Sequence, residues 1–368
     1  MNLLIIEDEP EFISRLRSVF APEGSNNKFF TPDDIGLVNE KVEQGRSFEE
    51  QFLGKLREAH RARAIDLVLL DTDLSRFKGF PISQTLCRQA FQEIGVPVCR
   101  YKKTYSQTDS NRLKDLKRIA REGASAVWVP PHLVKGEDLS NLVIWLQAVN
   151  AGFVRIRERL QSDPSMLEKN HGPAALLARL LGKPKMRADL LGYTSQNLFF
   201  FAAPLSEDSD DEACKPDLLV QSTRLGYWLF NYVLTFPGPI LPVAAAAALL
   251  NLSRDAFDSP QLKALCADAR YQGPFDGVQD FYLRDKLNDL VDANGGSVTG
   301  SAALHGIQLE TLISDPEGTH AYYCVLSDAP ITAAQAANPS PDWIPPGADM
   351  ARIDQDLLDY LEPMLNKR

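Results

Sequence analysis

The feature that most limits what this 368-residue chain can fold into is a figure repeated through residues 1–150. A short apolar run is followed by a stretch with helical spacing, and then by another apolar run. The runs are Leu3–Ile6, Ile65–Leu70, Val96–Cys99 and Ala126–Val129, with a further strand expected near Lys28–Thr31. Between and after them, helices are expected over Glu11–Phe20, Phe48–Ala62, Pro81–Ile94, Arg112–Glu122 and Leu139–Val149. The core runs do not alternate apolar with polar, as strands buried on both faces do not. Strands separated by amphipathic helices make βαβ units on a parallel sheet, so residues 1–150 read as a doubly wound α/β domain.

In such sheets the functional crevice lies beyond the carboxyl ends of the strands. The first core run ends in Glu7-Asp8-Glu9 and the second in Asp71-Thr72-Asp73. Glu7, Asp8 and Asp71 should therefore converge. Three carboxylates in one crevice repel each other unless a cation neutralises them, and hard oxygen ligands suit Mg²⁺. A carboxylate beside such an ion can also accept a phosphoryl group.

The segments LLIIEDE (3–9), DLVLLDTDLSRFKGF (66–80) and GASAVWVPP (123–131) resemble the receiver domain of bacterial response regulators, which has the flavodoxin/CheY-like fold. The resemblance implies that Glu7 and Asp8 are the acidic pair and Asp71 the phosphoryl acceptor. It implies a Mg²⁺ site of Glu7, Asp8 and Asp71, with Asp73 at the position that offers a backbone carbonyl. Gly79 matches the glycine of the following loop. Two positions depart from the family. Counting from Pro97, the switch hydroxyl position reads Lys102, and the phosphate-binding lysine position at the end of the fifth strand reads Pro130. Lys102, or Lys103 beside it, then supplies the cation from the adjacent strand end, with Thr104 as the hydroxyl if the loop is shifted. Two other outcomes stay open: metal binding without phosphorylation, and a pseudo-receiver whose carboxylates form a solvated cluster.

Charge divides the chain. Residues 1–152 carry 21 basic and 21 acidic side chains, while residues 153–368 carry 18 and 28, so the whole net charge of −10 lies in the second part. A nucleic-acid-binding region usually shows the opposite excess. The second part reads as mainly helical α+β, divided into an output or interaction domain over 151–328 and a Pro-rich linker with a C-terminal helix over 329–368. Its expected elements include helices over Thr223–Leu234, Val243–Leu250, Gln261–Ala269 and Phe281–Asp292, and strands at Leu198–Phe201 and Tyr322–Leu326. The turn at Asn251-Leu252-Ser253 between helices gives residues 237–292 a helix-turn-helix-like look. SEDSDDE (206–212) reads as a solvated acidic loop. His305, His320 and Cys324 match no zinc spacing.

The sequence holds no catalytic triad, P-loop or nucleotide fingerprint, so no enzyme activity is expected beyond phosphorylation and dephosphorylation of the receiver itself. Five scattered cysteines without a CxxC pair suit reduced thiols in the cytoplasm. Neither a signal peptide nor a membrane span is expected. The reading is a response-regulator-like protein served by a sensor kinase or other phosphodonor, with a protein partner for the acidic region. Its rivals are a transcriptional regulator using 237–292, a scaffold with an unphosphorylated pseudo-receiver and, third, a protein with an enzymatic output domain.

Overall fold

The computed structural model describes residues 1–37, 47–75, 83–103, 108–123, 125–167, 172–194, 217–304, 306–313 and 321–365. The expected strand at Leu198–Phe201, the acidic run 206–212, Gly79, Thr104, His305 and His320 lie outside the described residues. Contacts divide the chain into two compact units: Met1–Ser106, Ala124–Leu167 and Phe200–Tyr227 in the first, and Gln107–Gly123, Glu168–Phe199 and Trp228–Arg368 in the second.

The first unit is built on a parallel five-stranded sheet of order β2-β1-β3-β4-β5. Its strands are β1 (Asn2–Ile6), β2 (Lys28–Phe30), β3 (Leu67–Asp71), β4 (Val98–Tyr101) and β5 (Val127–Trp128). Helix α1 (Pro10–Phe20) follows β1, α2 (Phe48–Arg63) precedes β3 and α3 (Gln84–Ile94) precedes β4. After β5 come the single turn α5 (Pro131–Val134) and the long α6 (Ser140–Ser162), and then α7 (Pro173–Leu180) and α8 (Arg187–Leu191) of the second unit. This order fits a doubly wound α/β fold. Strand residues alternate between the two faces. Leu4, Ile6, Val68, Leu70 and Val98 pack with Phe52, Leu56, Cys87 and Phe91 of α2 and α3, while α1 and α6 lie together on the opposite face.

Local chemistry explains the helix limits. Ser47 and Glu50 form a reciprocal capping box at the start of α2, and the Ser83 hydroxyl caps α3. Gly95 ends α3 at φ 78°, and a Cβ there would lie 2.6 Å from the Val220 amide nitrogen, so both the backbone conformation and the space demand glycine. The segment that crowds Gly95 begins α9 (Leu218–Trp228). Within the first unit, Thr223 Oγ1 donates to the Gly95 carbonyl at 2.5 Å, the Val98 amide donates to Tyr227 Oη at 2.7 Å, and Tyr227 meets Phe153 edge-on at 5.4 Å.

The helix α4 (Asp109–Glu122) belongs to the second unit. Arg112 Nε donates to the Val325 carbonyl at 2.8 Å, Tyr232 Oη to the Ala120 carbonyl at 3.2 Å, and Asn231 Nδ2 to the Gly123 carbonyl. The expected helix over Thr223–Leu234 is α-helical only to Trp228 and continues as a π-helical turn, Leu229–Val233. Phe281–Leu283 is not helical as expected: it forms strand β7, antiparallel to β6 (Ile240–Pro242), and α13 runs from Arg284 to Ala293. The apolar triplet FYL buries all three side chains, which a strand against β6 achieves and a helix end does not. The alanine helix α10 (Val243–Leu249) buries Ala244–Ala248 completely or nearly so. Short helices α11 (Arg254–Phe257) and α12 (Pro260–Leu265) follow. The proline-rich stretch from 329 is no simple linker. It contributes β9 (Ala329–Ile331) beside β8 (Tyr322–Cys324) and buries Ile344 and Ala348, ahead of β10 (Ala351–Arg352) and the terminal helix α14 (Gln355–Leu365). Among the described residues no helix is long and apolar enough to cross a membrane.

Candidate functional site

Strand register gathers the charged groups. Ile5 pairs with Leu69, Leu69 with Cys99, and Asp71 with Tyr101. With two-residue periodicity, Glu7, Asp71, Tyr101 and Lys103 all fall on the sheet face that carries α1. Glu7 and Asp71 are 2% and 1% exposed, and Asp8 is partly buried.

Glu7 is saturated with donors. Its Oε1 accepts from the amides of Asp8 and Glu9 at 2.9 and 2.8 Å, and Lys103 Nζ stands 2.9 Å from both carboxylate oxygens. The Tyr101 hydroxyl donates to Oε2. Lys103 also donates to Glu9 and lies over the Phe12 ring, which stacks on Tyr101. Asp71 is treated differently. Its Oδ1 accepts from the Asp73 amide at 3.1 Å, whereas its buried Oδ2 accepts no hydrogen bond among the described residues, with Lys103 Nζ 3.4 Å away.

These surroundings move the proton affinities. Burial pushes the Asp71 carboxyl up to about 6, helped by the negative charge of Glu7 and opposed by the Asp73 amide and Lys103. Burial also holds the Tyr101 phenol well above its ordinary value, with the charges of Glu7 and Asp71 acting the same way, so it remains a donor. For Lys103, burial pulls downward, but hydrogen bonds to Glu9 and Glu7 and the nearby carboxylate charges outweigh it and raise the ammonium.

The residues singled out from sequence separate into three groups. Glu7, Asp8 and Asp71 come together, each offering an oxygen within 4.8 Å of the others. Lys102 is exposed while Lys103 points into the cluster. Asp73 is exposed, and its amide donates to Asp71 Oδ1. At the end of β5, Pro130 opens the turn α5. Tyr101 and Glu9 were not anticipated. The signal was available: Cys99, Tyr101 and Lys103 share one parity, and Lys102 has the other.

Oxygen ligands of this kind suit a hard divalent ion, and the Asp71 Oδ2 without a hydrogen bond is an acceptor such an ion would satisfy. The acidic cluster can therefore hold a metal. Compared with known protein families, curated proteins and solved structures, the chain matches none.

Proposed function

We propose that the chain is a response-regulator-like signalling protein in which Asp71 accepts a phosphoryl group. The observation that carries this reading is Asp71 Oδ2, a buried carboxylate oxygen at a strand end with no hydrogen bond among the described residues, beside the carboxylates of Glu7 and Asp8 and the Lys103 ammonium. The Asp71 carboxylate attacks the phosphorus of a phosphodonor. The new P–O bond forms on Asp71 as the bond to the donor breaks, and the leaving group departs with the electron pair and takes up a proton. Glu7, Asp8 and Asp71 are the residues that would hold Mg²⁺, which supplies positive charge to offset the carboxylates and the incoming phosphoryl oxygens. With no ion bound, Lys103 supplies the positive charge, 3.4 Å from Asp71 Oδ2. The phosphoryl group then adds negative charge at a strand end, which biases a contact with a protein partner. The donor would be a sensor kinase or another phosphodonor protein.

A second reading is a scaffold that takes no phosphoryl group, and the saturation of Glu7 by Lys103, Tyr101 and two amides favours it. Incubation with acetyl phosphate and Mg²⁺, followed by intact-mass measurement, separates the two. Wild type should gain one phosphoryl group and Asp71→Asn none. An unmodified wild type under these conditions leaves the scaffold reading standing.

A further inference from the structure

We infer that Lys103 is a tethered counter-ion that competes with a divalent cation for Glu7 and Asp71, and so sets how readily the acidic centre takes up metal. The inference deepens the metal part of the proposed function and rests on the metal-binding half of that reading.

Lys103 Nζ already stands where a bridging cation draws its ligands. It is 2.9 Å from both oxygens of Glu7 and 3.4 Å from Asp71 Oδ2. An ion held by one oxygen from each of Glu7, Asp8 and Asp71 must fit among atoms that lie within 4.8 Å of one another. An ammonium and a divalent ion confined to that space repel strongly even at the effective dielectric of a protein interior. One of them must leave, and only the ammonium is on a flexible stem.

The surroundings give Lys103 somewhere to go. Its side chain is 25% exposed, against 0% for Glu7 and 2% for Asp71. It is already bonded to Glu9, which is 34% exposed and outside the set of three carboxylates. Withdrawal toward Glu9 keeps one ion pair and frees Glu7 and Asp71. The two occupants also satisfy the cluster differently. Lysine saturates Glu7 but leaves Asp71 Oδ2 without a hydrogen bond. A divalent ion ligated by both carboxylates would relieve that defect.

The test is Mn²⁺ binding to the full chain, read by the electron paramagnetic resonance of the free ion. Lys103→Met should bind Mn²⁺ at least tenfold more tightly than wild type, while Lys103→Arg, which keeps the charge, should bind as wild type does. If Lys103→Met loses its far-ultraviolet circular dichroism, Lys103→Gln carries the same expectation. Equal affinity in wild type and the neutral variants overturns the inference, as does tightening in Lys103→Arg or no Mn²⁺ binding by the neutral variants. Phosphoryl transfer is measured separately on the same proteins. Tighter Mn²⁺ binding without phosphorylation of Asp71 leaves the inference standing and removes the phosphoryl-acceptor reading. Phosphorylation without the affinity change does the reverse.

Discussion

Replacing Asp71 with Asn should stabilise the metal-free protein, and more so as pH rises. Asp71 is 1% exposed, and its carboxyl sits near 6 instead of 3.8 because burial and Glu7 disfavour the charged form. A carboxyl raised on folding binds its proton more tightly in the folded state. Its contribution is fully present below about pH 4, and is lost as pH rises through about 6. Each tenfold change in proton affinity is about 1.36 kcal/mol, so the full loss is about 3 kcal/mol. Asparagine keeps an oxygen for the Asp73 amide and carries no charge, so its stability curve lacks this fall. Urea denaturation with a chelator present, at about pH 4.5 and 7.5, should show the variant gaining on wild type by about 1–3 kcal/mol between the two conditions. An advantage that does not grow with pH, or a variant less stable than wild type at the higher pH, refutes the assignment of Asp71 as a charge buried at an energetic penalty.

Three further substitutions test the packing that supports the site and the fold. Tyr101→Phe removes the donor to the buried Glu7 carboxylate and should destabilise by about 1.5–3 kcal/mol in urea denaturation. Tyr227→Phe leaves the Val98 amide without its acceptor at the edge of β4, a loss of about 1–3 kcal/mol, with faster hydrogen exchange at that amide as the local signature. Gly226→Ala would place a Cβ 2.4 Å from the Phe153 ring, so overpacking should lower stability by about 1–3 kcal/mol, and restoring space with Phe153→Leu in the same chain should recover part of it.

The elements of the first unit were legible where one physical rule governed each. Continuous apolar runs gave buried strands, and helical spacing gave the start of α2 at Phe48, which Ser47 caps. The convergence of Glu7, Asp8 and Asp71 followed from strand ends in a parallel sheet. The choice between Lys102 and Lys103 needed register as well, because one residue of slip moves a side chain to the other face. Tyr101 hid in the apolar pattern of β4, since a buried phenol looks like core until its acceptor is known. In the second part the rules competed. Phe281–Leu283 continues the helical spacing of α13, but pairing with β6, some 40 residues away in sequence, decides its state. No local signal foretold that α4 would pack within the second unit. Its bonds run to Val325 and to Asn231 and Tyr232, and such distant partners leave no periodic trace.

A geometric and an electrostatic argument weigh against DNA reading by residues 237–292. Helix α11 has four residues and α12 has six. At about 1.5 Å per residue they are about 6 and 9 Å long, too short to present a reading face along a major groove about 12 Å wide. The preceding helix α10 has Ala244–Ala248 buried, so those residues present no reading face. The basic residues of the region already face carboxylates: Arg254 with Asp328 at 3.2 Å, Lys263 with Asp258 at 2.8 Å, Arg270 with Asp280 at 2.6 Å, Lys286 with Asp289 at 3.1 Å, and Arg284 with Asp349. Binding to phosphates gains free energy by releasing the counter-ions of DNA, one contact at a time. A lysine or arginine already neutralised by its own chain contributes little to that release, and the net charge of −10 adds long-range repulsion. The full chain should therefore give no mobility shift with duplex DNA even at about 20 mM salt, where non-specific binding is strongest. A shift that weakens steeply as salt is raised would mean that these ion pairs open to the duplex, and would overturn this reading of the region.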